Sequence, residues 1–307
     1  MIKRNYTPLG VDLDLGGAYE SPDLELKANS YYLGVFPMQY YCENGVANRV
    51  HETANHFWIG ANMFLQIIYA DYTDESPNLP GFFSLRDMPV KKDGYWYFEE
   101  KITLNTGQPG ISKTWLVTKE DQLPYSYVTK KEFLEKRKRL LLNDVDGRIA
   151  NAKEGLAYVE DQKRIKEQEY KSDPEKWKSY FDNIYLIDKA RYEKDILAIQ
   201  EETDRAIRAI ESQLKESAAD ELGQMAIVKM DSNDAMTFLF TSDDDPFGKV
   251  LIKPNPDYFD PKLPRSVPQF IGVYITGPLN EPVSFQAITQ LENAVDFKAL
   301  REMLGKI

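Results

Sequence analysis

The chain has 307 residues, a formal net charge of -11 and a sequence pI of about 4.9, room for one large or two ordinary domains. Hydrophobic residues are 42% and aromatics 12% of the chain, enough to fill a core and too many for a disordered composition. The acidic balance argues against a non-specific nucleic-acid binder, which needs clustered Lys and Arg, and gives no reason to expect affinity for anionic lipid.

Cys42 is the only cysteine, so an intrachain disulfide and a Cys-based zinc site are excluded. Beside Tyr40 and Tyr41 it is expected as a small buried hydrophobe. No stretch approaches the ~20 apolar residues of a membrane-spanning helix. The start, Met1 to Tyr6, carries a basic pair but no apolar run after it, so no signal peptide is visible. The native protein is then cytoplasmic, or a targeting segment is missing from this chain.

Val11-Asp12-Leu13-Asp14-Leu15 alternates like a half-buried strand and ends at Gly16-Gly17. Tyr31 to Tyr41 is dense in aromatics and favours a strand packed on a sheet. Its sharper reading is an aromatic platform for a glycan or peptide. The apolar run Phe57 to Tyr69 fits a buried strand or a buried helix; a helix is expected around Gly60 to Ala70. Asp71 to Pro80 reads as a loop. Lys92-Asp93-Gly94 and Gln108-Pro109-Gly110 read as turns around a strand at Tyr95 to Leu104 and another at Ser112 to Thr118. Connections this short predict an antiparallel meander.

Residues 129 to 222 read differently. Thr129-Lys130-Lys131-Glu132 has the form of a capping box, with Val128 and Phe133 placed as a hydrophobic staple. In the first arm Leu142, Val145, Ile149, Ala152, Leu156 and Val159 alternate steps of three and four, a coiled-coil seam. Gly147 and Gly155 lie off this seam and weaken the helix. Tyr192, Ile196, Ile199, Thr203, Ala206 and Ile210 form a second seam. Ser172 or Asp173 caps the second arm, with Pro174 in its first turn. Two arms of roughly 40 residues, ~60 Å each, imply an antiparallel helical hairpin inserted into a body that is discontinuous in sequence, residues 1–128 and 223–307. The expected class is α+β, with an antiparallel sheet in the body. Nearly half of the residues between 131 and 221 are charged, which suits arms that bury one seam and leave the rest in water. Lys136-Arg137-Lys138-Arg139 is read as a solvated face rather than an anion site.

Trp177, Tyr180, Phe181, Ile184, Tyr185 and Leu186 cluster near the hairpin tip. They either clamp the hairpin on itself or contact a partner. Downstream, Gln224 to Met230, Ala235 to Thr241, Lys249 to Lys253 and Gln269 to Thr276 read as strands that complete the N-terminal sheet. Prolines between 254 and 264 impose an irregular crossing. Asp296 caps a last helix reaching about Leu304.

Catalytic signatures are sparse. His51-Glu52-Thr53-Ala54-Asn55-His56 misses the zincin spacing by one, which turns the second imidazole about 140° off the shared face. The Walker, dinucleotide-binding and nucleophile-elbow motifs do not occur. Asp243-Asp244-Asp245 lacks calcium-loop spacing and reads as a turn. Glu99 and Glu100, adjacent on a strand, point to opposite faces. No cofactor or metal is expected.

Leu123-Pro124-Tyr125 followed by Val128-Thr129-Lys130-Lys131-Glu132-Phe133-Leu134 resembles a junction in uncharacterised exported proteins of Gram-negative bacteria. Asn255-Pro256-Asp257-Tyr258-Phe259-Asp260 is similar to a segment near their C-terminal strand. The resemblance implies an envelope or secreted location and an export signal lost from this chain. It implies no activity.

Three functions follow as expectations. The first is a non-enzymatic binding or scaffolding protein that contacts a protein partner through Trp177, Tyr180, Phe181 and Tyr185 at the hairpin tip. The second is a glycan-, peptide- or lipid-binding body using Tyr31, Tyr32, Tyr40, Tyr41 and Trp58. The third is a hydrolase without a recognisable motif. No nucleic acid and no membrane span are expected, and a homo-oligomer is left open.

Overall fold

The computed structural model describes residues 11–15, 19–21, 28–50, 54–63, 68–71, 82–85, 87–230 and 238–306. Its first stretch holds β1 (Val11–Leu15), β2 (Tyr19–Ser21), β3 (Ser30–Glu43), β4 (Val46–Arg49), β5 (His56–Ala61) and β6 (Ile68–Asp71). Next come β7 (Phe83–Leu85), β8 (Val90–Lys92), β9 (Tyr95–Thr103), β10 (Pro109–Val117) and β11 (Tyr125–Tyr127). The helices α1 (Lys130–Glu169), α2 (Pro174–Tyr180), a π element (Phe181–Tyr185), α3 (Leu186–Glu216) and α4 (Ala219–Leu222) follow. The chain then returns to strands, β12 (Ile227–Met230), β13 (Phe238–Phe240), β14 (Lys249–Pro254) and β15 (Ile271–Pro278), before α5 (Pro282–Asn293) and α6 (Phe297–Met303). The fold is α+β with antiparallel sheets and a long helical hairpin. No helix among the described residues is long and apolar enough to cross a membrane.

Two compact units emerge, one from Met1–Asp71, Phe83–Tyr127 and Asp243–Ile307, the other from Tyr72–Phe82 and Val128–Ser242. In the first, a nine-stranded sheet runs β1-β3-β5-β15-β10-β9-β8, with β2 and β4 also pairing β3. All its pairings are antiparallel. A smaller antiparallel set joins β11 to β14, β14 to β7 and β7 to β6. β15 lies between β5 and β10, as the buried, two-sided run from Phe270 to Thr276 predicts.

Each face of the larger sheet has its own core. Val35, Phe57, Trp115, Val273 and Ile275 pack against Ile288 and Leu291 of α5, with Phe297 and Leu300 of α6 alongside. Phe98, Leu116 and Phe270 instead meet Phe83, Leu85, Ile252, Tyr258 and Phe259. Trp115 and Leu116 therefore serve opposite cores, as strand alternation requires. Each such side chain contributes about 1.5–3 kcal/mol on burial. Gly277 lets α5 seat directly on β15, because a Cβ there would stand 2.6 Å from Asn55 Oδ1 and closer still to Ile288.

Three expectations need correction in this unit, and one helix was not foreseen. Among the described residues of the span Gly60 to Ala70 the expected helix does not occur: β5 continues to Ala61, Asn62 takes a left-handed φ of 54°, and Ile68–Asp71 is a strand. β5 is paired on both sides, so its apolar run carries no alternation to separate it from a helix. Cys42 is exposed rather than buried, because beyond Gln39 the long β3 leaves the sheet and pairs only with β4 as a two-stranded ribbon. The turn expected at 108–110 falls at Asn105–Gly107, where Gly107 has φ 79° and Pro109 already starts β10. Finally, α5 was not anticipated. The Lys92–Gly94 turn does form, with φ 52° at Asp93 and 79° at Gly94, the two positive values of a type I′ hairpin.

In the second unit, α1 opens on a complete capping box. Thr129 Oγ1 accepts from the Glu132 amide at 3.2 Å, and Glu132 Oε2 accepts from the Thr129 amide at 2.9 Å. The expected seam runs half-buried from Val145 to Leu156 and ends at buried Val159, but Leu142 is exposed and Leu140 and Leu141 are buried in its place. No irregularity occurs at Gly147 or Gly155, since α1 is unbroken over 40 residues. Nor does Gly155 lie off the contact: a Cβ there would stand 2.6 Å from Tyr192 Cζ, so the Tyr192 ring rests on bare backbone. Lys138 reaches Glu211 across the hairpin at 2.6 Å. β12 and β13, expected to complete the N-terminal sheet, instead pair with each other and are not part of the nine-stranded sheet, which only β15 joins from the C-terminal stretch; the loop expected between them, like His51, Glu52 and Gly16-Gly17, lies outside the described residues.

Candidate functional site

The hairpin tip is built from one cap and one stack. Asp173 caps α2 by accepting from the Lys176 amide at 3.1 Å, with Pro174 at the first helical position. The π element then inserts an i→i+5 turn, in which the Leu186 amide donates to the Phe181 carbonyl. Trp177, Phe181 and Tyr185 follow at intervals of four and stack, with ring centroids 5.6 and 5.1 Å apart. Tyr180 leans on Trp177 and on Tyr170 of α1.

This stack is fastened to the first arm. Tyr185 is buried and donates its hydroxyl to Glu160 Oε1 at 2.9 Å, and Lys189 reaches the same oxygen at 3.1 Å. Those two hydrogen bonds hold the Glu160 carboxyl below its ordinary range. Lys163 lies over the Tyr185 ring at 5.1 Å and the Phe181 ring at 5.9 Å. The two readings of the tip thus divide between residues. Tyr185 clamps the hairpin on itself, while Trp177, Tyr180 and Phe181 are half-buried. The exposed apolar side chains of this stretch include Ile184 and Leu186 from the expected cluster, at 50% and 44% relative exposure, and also Ile165 at 54% and Ile187 at 60%.

The aromatic residues of the first unit do not converge. Tyr32 and Trp58 share one face of the sheet, 5.4 Å apart, and Trp58 also meets Tyr274 at 5.4 Å and His56 at 5.7 Å. Tyr31, one residue from Tyr32, faces the other way and donates its hydroxyl to the Ser266 carbonyl at 3.2 Å. Tyr40 and Tyr41 are exposed on the β3–β4 ribbon, away from both.

On the Trp58 face, Ser112, Thr276 and His56 occupy one row, Ser112 opposite Thr276 and Thr276 opposite His56. Among the described residues, Ser112 Oγ, Thr276 Oγ1, His56 Nδ1 and Trp58 Nε1 are enclosed without a hydrogen-bond partner. Burial pushes the His56 pKa down and keeps the imidazole neutral. Ser112 and His56 stand two strand spacings apart, roughly 10 Å, beyond the reach of a nucleophile and its base. That separation supports no Ser–His chemistry. Among the described residues no group of three His, Cys, Asp or Glu side chains is placed to hold a metal ion.

An open site lies at the other end of the first unit. A groove of about 540 Å³ is lined by Tyr31, Val267, Pro268, Glu302, Met303 and Lys306, among others. Its floor is fixed by Asn62, whose side chain donates to the Asn29 and Val267 carbonyls at 3.0 and 3.2 Å and accepts from the Gln269 amide at 2.8 Å. Of the sequence candidates only Tyr31 is in this groove. The groove's other walls come from residues near 267 and 303, which no local pattern connects with residue 31.

The chain matches no protein-family model, no curated protein and no solved structure.

Proposed function

We propose that this is a non-enzymatic binding protein whose helical hairpin contacts a protein partner at its tip. The observation that supports the reading is the exposure of Ile165, Ile184 and Ile187 at the end of two otherwise highly charged arms. Exposed apolar side chains on an otherwise charged helix favour an interface over a solvated face. The π element adds support, because such turns recur where a helix presents side chains for a purpose. The half-buried Trp177 and Phe181 rings stiffen that end, so the isoleucines would meet a partner at low entropic cost. On the resemblance of the Val128–Leu134 junction to exported proteins, we place this contact in the cell envelope.

The test is proximity cross-linking in cells with the full chain and with an Ile165→Glu/Ile184→Glu/Ile187→Glu variant. The reading expects particular partners to be lost from the variant while its helical circular dichroism stays the same. An unchanged partner set with an intact hairpin refutes it. The aromatic residues of the body give the glycan reading less support, since they split among three places.

A further inference from the structure

The groove beside Tyr31 belongs to a different unit from the hairpin arms, and its chemistry is independent of them. Three features define it. Its walls are fixed, by the Asn62 hydrogen bonds beneath it, by the Asn29 amide donating to the Arg265 carbonyl at 2.7 Å, and by the Gly305 amide donating to the Pro268 carbonyl at 2.8 Å. Its apolar surface comes from Val267, Pro268 and Met303. Its charge comes from Glu302 and Lys306, and among the described residues neither side chain has an ion-pair or hydrogen-bond partner. A carboxylate and an ammonium, each unpaired among the described residues, on one partly apolar concave surface fit a ligand that carries both charges at its ends. A volume of about 540 Å³ is within the range of small-molecule pockets.

We infer that this groove binds a short zwitterionic peptide of two or three residues, its α-ammonium on Glu302, its α-carboxylate on Lys306 and an apolar side chain on Met303, Val267 and Pro268. The Tyr31 hydroxyl spends its proton on the Ser266 carbonyl and keeps its lone pairs to accept a peptide N–H. Burial raises the Tyr31 pKa, so the phenol stays protonated across the physiological range. Neither a sugar nor an acyl chain would use both charges.

The experiment is isothermal titration of the full chain with leucyl-leucine, N-acetyl-leucyl-leucine and leucyl-leucine amide. Leucyl-leucine is expected to bind saturably at one site. Blocking either end should weaken it about tenfold, the size of one charge-assisted hydrogen bond. Glu302→Gln should lose the same factor for leucyl-leucine and lose nothing further when the ammonium is acetylated. Lys306→Gln should behave likewise toward the amide. Both substitutions are exposed, and matching circular dichroism checks the fold. Absence of saturable binding, equal binding of the blocked peptides, or charge variants that bind like the parent would each overturn the inference.

Discussion

Two glycines of one helix offer a controlled experiment on the hairpin. Gly147 and Gly155 both lie within α1, and both are expected to destabilise it by about 1 kcal/mol relative to alanine. A Cβ at Gly147 meets nothing within 4 Å, so Gly147→Ala should stabilise the hairpin by about that amount. At Gly155 the same methyl would lie 2.6 Å from Tyr192 Cζ and 3.0 Å from its Cδ1. The ring must move, and overpacking of this kind costs about 1–3 kcal/mol. Gly155→Ala should therefore range from neutral to about 2 kcal/mol destabilising, leaving the two variants roughly 1–3 kcal/mol apart. Hydrogen exchange of the α1 amides reads hairpin opening directly and avoids assuming that two units unfold as one. Tyr192→Ala should remove the penalty, so that Gly155→Ala becomes stabilising in that background. If Gly155→Ala protects α1 as well as Gly147→Ala does in the parent chain, the Tyr192–Gly155 contact does not exist in solution.

Further predictions concern single buried groups and one titration. Thr276→Val removes an enclosed hydroxyl that has no partner among the described residues and keeps the side-chain shape, so chemical denaturation should show stabilisation by about 1 kcal/mol; a loss of that size would mean the hydroxyl is satisfied. Thr129→Ala should cost about 1 kcal/mol by breaking the capping box, with fraying confined to the first turn of α1 in exchange experiments. Glu160 has a folded pKa below its ordinary value of 4.5, so its contribution is complete above that value and is lost as pH falls through the lower folded pKa. Protection of the amides near Tyr185, relative to their intrinsic exchange at each pH, should fall in that acid window, and Glu160→Gln should flatten the dependence. Acid-insensitive protection at Tyr185 in the parent chain would contradict the Glu160 clamp.

What the sequence revealed follows the range over which each feature is determined. The capping box at Thr129, the Asp173–Pro174 start and the Asp93-Gly94 turn rest on neighbours within four residues, and each forms as read. The α+β class follows from the change of period at residue 129, from strand-like alternation to helical seams. β5 was misread because a strand paired on both sides loses its alternation. α5 did leave a signal, Pro282 at its first turn and Ala287, Ile288 and Leu291 at helical spacing. The π element left none, since Trp177, Phe181 and Tyr185 are four apart in either kind of helix. Gly155 could be understood only with Tyr192 placed opposite it, and the groove only with residues near 31, 267 and 303 brought together.

The position of β15 sets an order of events during synthesis. Its two partners, β5 and β10, are complete by residue 117, yet the strand that joins them ends at Pro278. Throughout translation of the hairpin, both partners present open edges, the surfaces through which sheets aggregate. The hairpin closes through contacts nearby in sequence, and such structure forms early, whereas the larger sheet must await its most distant strand. A chain released before residue 278 would thus carry finished helices and an unfinished sheet, a form suited to capture by chaperones or proteases.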